Sequence, residues 1–314
     1  MRIDIPSFEI WQQEPGVAGV YRQIERVGRV CYKSEDHTTA TSAQPFVERM
    51  IKSEHFAMLE HGTVYLVFDE KTREEVGQSN NKYFDVAPWV FYMNNKYSQV
   101  NFAFNNYYVT TNLRVLAENN RLYDLQAFWS EPLVSHPHRV TVHFSTQIAI
   151  TREFNRHRAD SMAEQSTRYC NYSKAKFGNE ITINLPVWIR QEMTGSEWAG
   201  QVKGGLLTVS GQQFMELARQ VTDGSATVLD NWVFANLAAE KSYMNLISAG
   251  RKPQEARVVL PLDTATELVH TAFVSDWKHF FDLRALGTTG QPHPDAKTLA
   301  MPLFEEFKKR GWVN

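Results

Sequence analysis

The distribution of apolar and polar positions divides the chain into short helices and strands. Apolar residues at helical spacing predict a helix from Val17 to Val30. A second is predicted from Ser42 to Ser53, with Pro45 near its start and Phe46, Met50 and Ile51 on one face. The β-branched and aromatic run Thr63-Val64-Tyr65-Leu66-Val67-Phe68 predicts a strand. From about Asp69 to His138 the text changes to Asn, Tyr and Phe, as in Tyr97 to Phe102 and Asn105 to Val109. This stretch reads as an insertion of two short strands and a helix near Asn112 to Phe128, packed on the surface or at a subunit interface. Alternation from Arg139 to Phe144, with Val140, Val142 and Phe144 on one side, predicts a strand. A helix over Thr146 to His157, a loop, and a strand at Glu180 to Ile183 follow. Leu206 to Ser248 reads as one or two long helices interrupted near Asp223-Gly224, with Gly250 and Pro253 as punctuation. A short helix near Pro253, a strand over Thr264 to Phe273, a helix over Trp277 to Arg284 and an amphipathic helix over Ala296 to Lys309 complete the set. This order implies an α+β fold, with mixed helices around a mostly antiparallel sheet, and not a regular βαβ alternation.

Length and composition narrow the options. At 314 residues, 43 % hydrophobic and 22 % charged, the chain can bury a sizeable core. It shows no internal repeat, and we read it as a single catalytic domain over residues 1–314 with an insertion at about 69–138. A formal net charge of −2 argues against a nucleic-acid binder that relies on a strong positive field. Cys31 and Cys170 are too few for a disulfide framework and form no C-x-x-C pair, so no metal site is expected. The start, Met1-Arg2-Ile3-Asp4-Ile5, carries charges of both signs and is no signal peptide, and no apolar run reaches bilayer length. A soluble, cytoplasmic protein without a membrane partner is the expectation.

The densest chemical text runs from Arg156 to Tyr169. Arg156, His157 and Arg158 stand in a row after an apolar helix. Neighbouring helical residues point about a hundred degrees apart, so the three splay toward different ligands or subunits. Arginine suits bidentate binding of phosphate and carbonyl-rich rings. Ser166 and Thr167 add hydroxyls, and Arg168 adds another cation. The set suits a phosphorylated planar ligand; the competing reading is a solvated charged loop.

Arg156-His157-Arg158, then seven residues, then Ser166, resembles the signature of the flavin-dependent thymidylate synthases. Glu164-Gln165-Ser166-Thr167-Arg168-Tyr169 continues the likeness. Upstream, His55 to His61 resembles the family's H-x-x-x-x-E-H block, and Glu255 to Pro261 resembles its A-R-x-x-L-P block. Trp277 to Arg284 follows in register. The resemblance implies the thymidylate synthase-complementing type of fold and methylation of dUMP to dTMP. It implies FAD as cofactor, with NADPH and methylenetetrahydrofolate as co-substrates, and a homotetramer whose active sites are shared between subunits.

On that resemblance, Arg156, His157 and Arg158 hold FAD, together with His55, Glu60 and His279; His55 and Glu60 come from another subunit. Glu153, Arg156, Glu164, Gln165, Ser166, Thr167, Arg168, Arg257 and Arg284 bind dUMP, with Arg257 supplied by a neighbouring subunit. Arg284 is the catalytic residue: it stays charged at any working pH and stabilises negative charge on the pyrimidine carbonyls. Neither cysteine matches the nucleophile of the Cys-dependent thymidylate synthases, and Ser166 lacks a paired base, so it reads as a ligand. Ala57, Ala163, Phe273 and Ser275 depart from the polar residues frequent at those positions, and each removes a contact to FAD. The changes at Ala163, Phe273 and Ser275 motivate the alternative of a nucleotide-binding homologue without flavin chemistry. A nucleic-acid module using the Arg cluster with Tyr97 and Tyr107 is a third reading, opposed by the near-neutral charge.

Overall fold

Two strands, Arg139–Gln147 and Ala265–Phe273, run antiparallel over their whole length in the computed structural model, with Ala265 opposite Gln147 and Phe273 opposite Arg139. The structure describes residues 1–72, 74–79 and 82–314, with the paired strands Glu74–Ser79 and Lys82–Val86 given by backbone alone. Ser7–Trp11 pairs with the outer edge of the first long strand, and Ser161–Glu164 with the outer edge of the second. Alternation explains the layering: successive side chains leave a strand on opposite faces. Val140, Val142, Phe144 and Leu268 turn to one face and bury against helices Ile148–Phe154, Val274–Phe281 and Pro294–Lys309, where Trp277, Phe280, Leu303 and Phe307 are fully buried. On the opposite face Val269 and Ala163 meet Val27 and Val30 of the helix Gly16–Tyr32. That helix stops where Lys33 takes a left-handed φ of 48°.

Among the described residues the ladders are antiparallel except for Arg2–Asp4 with Thr182–Asn184. That small sheet supports the helices Gly211–Asp223 and Val228–Ser248 through Ile181, Ile183, Trp232, Val233 and Tyr243. The break expected near Asp223-Gly224 is there: Gly224 ends the first helix at φ 77°, and Thr227 with Asp230 opens the second as a capping box. Mixed helices with mostly antiparallel sheets match the expected class.

Three expectations change. The segment after Asp69 holds the two predicted strands as Gln99–Ala103 and Asn106–Asn112, but also the pair Glu74–Ser79/Lys82–Val86 and a short helix, Trp89–Met93. It is more than surface decoration: Trp89, Tyr92, Val109 and Leu113 share a core with Val20 and Ile24 of the first helix and Val47 of the second, Ala43–Lys52. The single helix over Asn112 to Phe128 is two, Leu113–Glu118 and Asp124–Ala127, because Asn120 turns left-handed at φ 56° between them. The helix expected from Thr146 starts at Ile148, since Thr146 and Gln147 are drawn into the ladder opposite Thr266 and Ala265. No helix among the described residues is long and apolar enough to cross a membrane.

Candidate active site

Arg284 lies on a single wide, π-helical turn, Asp282–Leu286, that continues the helix Val274–Phe281 and ends at Gly287 with φ 73°. A Cβ on Gly287 would stand 2.8 Å from the carbonyl oxygen of Gly290, so glycine lets the chain fold back there. The guanidinium is directed by three acceptors. Nη1 donates to Glu153 Oε2 at 2.7 Å, Nη2 to the Glu153 carbonyl at 2.8 Å, and Nε to His157 Nε2 at 3.2 Å. Glu153 and His157 flank the end of the helix Ile148–Phe154, which follows directly from the central strand. Glu153, Arg284, Gly290, Gln291 and His293 border a cavity of about 520 Å³. Two cation-directed bonds to one residue fix both the position and the plane of the guanidinium.

His157 accepts through Nε2, which assigns its proton to Nδ1. Its ring is buried, 5.0 Å from the Phe280 ring and 5.6 Å from that of the exposed His279. Burial pushes its pKa down to about 4, against the pull of Asp160 and with the help of Arg284. His61 is fully buried against the Thr271 hydroxyl at 2.8 Å, and burial, with Arg139 beside it, lowers its pKa to about 3. Both rings therefore stay neutral near pH 7. Between pH 6.5 and 4 the unfolded chain takes up protons at these histidines and the folded chain does not, so stability is full above about pH 6.5 and falls as the pH drops. The urea midpoint at pH 5 is expected below that at pH 7.5, the unfolding free energy falling by on the order of 2 kcal/mol for each of the two histidines. An unchanged midpoint across that range would contradict the buried neutral assignment.

A second cluster forms around the strand Ser161–Glu164 and the residues after it. The Glu164 carboxylate accepts from the Thr151 hydroxyl at 2.7 Å and from Asn155 Nδ2 at 2.9 Å, tying the strand to the same helix that carries Glu153. The loop is strung between two elements: the Gln165 amide donates to the Glu267 carbonyl at 2.8 Å, and the Ser166 amide to the Cys31 carbonyl at 2.9 Å. Ser166 Oγ accepts from the Arg168 amide at 3.3 Å, and no base is bonded to it among the described residues. Thr167 Oγ1 accepts from Arg257 Nη1 at 3.2 Å. Ser166, Thr167, Arg257, Arg152 and Ile148 border a cavity of about 640 Å³. Arg257 thus meets the loop of its own chain. The reason is local: Ile148 and Ala149 donate to the carbonyls of Thr264 and Leu262, which holds the segment after Arg257 against this helix. Arg168 is exposed, with its guanidinium 5.3 Å from the Tyr169 ring.

The remaining expected residues are spread out. Arg156 and Arg158 are exposed and, among the described residues, have no carboxylate within salt-bridge reach. His55 is exposed at the head of the turn Phe56–His61. The Glu60 carboxylate pairs with Arg114, and its carbonyl accepts from Arg139 at 3.2 Å. No hydrogen bond among the described residues joins His55 or Glu60 to Arg156, His157, Arg158 or His279. Of the departures, Ala163 and Phe273 are buried, Phe273 with the Arg139 guanidinium 5.4 Å from its ring. Ser275 accepts from Gln99 of the insertion at 3.0 Å, and Ala57 is exposed.

Two groups beside the loop escape the sequence reading. Glu267 accepts from His143 at 2.8 Å and pairs with Lys33, and the His143 ring stacks on Trp11 at 4.6 Å. The only signal was His143 falling on the polar side of an alternating strand. Arg152 borders the cavity of Ser166 and Thr167, and its signal was its place one helical turn before Arg156.

The family model described as thymidylate synthase complementing protein matches residues 133–310, more than half of the chain and the whole span of both clusters. A search of curated proteins finds no match. Among solved structures, the chain is similar to a UMP/dUMP methylase, PolB from Streptomyces cacaoi, bound with 5-Br dUMP, at 16 % identity and TM-score 0.40 over 98 % of this chain and 93 % of that one. The same methylase bound with 5-Br UMP aligns at 15 % identity and TM-score 0.38 over 98 % and 92 %. The likeness to these structures is too low to add to the match over residues 133–310, and it is on that match that the chain belongs to the thymidylate synthase complementing protein family, a methyltransferase of thymidylate synthase type.

Proposed function

We propose that the chain converts dUMP to dTMP with methylenetetrahydrofolate as carbon donor and NADPH-reduced FAD as reductant. The observation that carries this reading is the Arg284 guanidinium, aimed by Glu153 and His157 at the wall of a cavity. Each acceptor uses one N–H, which leaves further N–H groups for a pyrimidine carbonyl. Glu153 accepts hydrogen bonds beside it and suits a ring N–H. Ser166, Thr167, Arg168 and Arg257 suit the phosphate and sugar, since a dianion is best held by several charge-assisted donors. Glu164 and Gln165 shape the same loop, and Arg156 stands between the two ligands.

The donor set also fits FAD. Arg156 and Arg158 are exposed guanidiniums without a carboxylate partner among the described residues, which suits a diphosphate. His157 and His279 lie beside them, and His55 and Glu60 of a second copy would complete the holder in a homotetramer. When bound, FAD supplies the hydride that reduces the transferred one-carbon unit to a methyl group. The protein's own part is to orient uracil, to keep His157 neutral as an acceptor for Arg284, and to stabilise charge on the ring oxygens.

Incubation with dUMP, FAD, NADPH and methylenetetrahydrofolate labelled at the methylene carbon tests the reading. Labelled dTMP, formed only when FAD and NADPH are both present, is the expected product. Tight dUMP binding with no product under any of these conditions would instead favour the nucleotide-binding homologue, with Phe273 and Ser275 as the altered flavin contacts.

A further inference from the structure

We propose that Arg152 is a phosphate-binding residue and that the helix Ile148–Phe154 acts as a ruler between the two ends of a nucleoside monophosphate. The inference rests on the nucleotide reading above and extends it to a residue outside the recognised motifs. Arg152 and Glu153 are consecutive, so their side chains leave the helix about a hundred degrees apart. Each borders a different cavity. Glu153 faces Arg284 in the space of about 520 Å³, and Arg152 faces Ser166, Thr167 and Arg257 in the space of about 640 Å³. One turn of one helix therefore presents a carboxylate to the base end and a guanidinium to the phosphate end.

The charge balance of the second cavity points to an anion. Two arginines border it, and among the described residues neither Arg152 nor Arg257 has a carboxylate within salt-bridge reach. The one acid on the wall, Glu164, is already occupied by Thr151 and Asn155. Among the described residues, the Arg257 guanidinium is bonded only to a neutral hydroxyl, that of Thr167. Two exposed guanidiniums over two hydroxyls suit a phosphomonoester dianion, where fork geometry gives paired charge-assisted bonds. The helix itself is fixed at both ends, by Thr151 and Asn155 to Glu164 and by Ile148 to the Thr264 carbonyl, so the spacing between the two ends does not drift.

Binding of dUMP and of deoxyuridine to the wild-type chain and to Arg152→Gln, read by calorimetry, tests the assignment. Arg152→Gln is expected to weaken dUMP binding about tenfold to a hundredfold and to leave deoxyuridine binding unchanged, because only dUMP carries the phosphate. Arg152→Lys should recover part of the loss. Equal dUMP affinity in Arg152→Gln and the wild type would overturn the role of Arg152 alone. Equal loss for dUMP and deoxyuridine would also overturn it, by showing a general structural defect. Absence of dUMP binding by the wild-type chain would overturn the nucleotide reading, and this inference with it.

Discussion

Arg284→Ala is expected to lower dTMP formation by about a hundredfold to a thousandfold or more while the chain stays folded and keeps bound flavin. The side chain is mostly buried, with 16 % of it exposed, and it meets three acceptors on two residues. Its removal takes away the cation that would face the pyrimidine and leaves the Glu153 carboxylate without its partner. Arg284→Lys should rescue little, because an ammonium is a point charge and cannot reach Glu153 Oε2, the Glu153 carbonyl and His157 Nε2 in one plane. Steady-state rates of dTMP formation, with circular dichroism to check folding, measure the effect. Turnover within a few-fold of wild type in Arg284→Ala would remove Arg284 from the chemistry.

The largest loss of stability is expected for Trp277→Ala, at about 3–5 kcal/mol. Trp277 is fully buried and donates from its indole nitrogen to the Val140 carbonyl at 3.1 Å. Its ring packs among Phe280, Phe281, Phe307 and His270, between the long strand and the last helix. Truncation leaves a cavity at that junction and removes the indole's hydrogen bond to a carbonyl that also faces Ala272 in the ladder, so the cavity is the main cost. Because the same helix leads into the turn of Arg284, activity should fall before the chain unfolds. Urea unfolding gives the number; a loss below about 1 kcal/mol would mean that the junction repacks freely.

Patterns of local origin were legible in the sequence. Alternation of Val140, Val142 and Phe144 marked a strand whose apolar face is the core face, and Gly224 marked the break between two helices. The loop from Glu164 to Arg168 and the turn of Arg284 were identified by resemblance, and the structure places Arg284 against Glu153, 131 residues away, which no local pattern encodes. Lys33 and Glu267 pair across 234 positions for the same reason. Where local signals conflicted with tertiary pairing, pairing won: Thr146 and Gln147 read as helix but lie in the ladder. The two-helix form of residues 113–127 turned on a single backbone angle at Asn120, and asparagine tolerates that angle without announcing it.

The central claim is that this site couples bound nucleotide to flavin chemistry, and the visible absorption spectrum of the purified protein with FAD, followed without oxygen after NADPH and dUMP, tests it most directly. The account predicts a protein-bound flavin spectrum that bleaches faster when dUMP is present. A protein that binds dUMP yet shows no bound flavin at saturating FAD would contradict it.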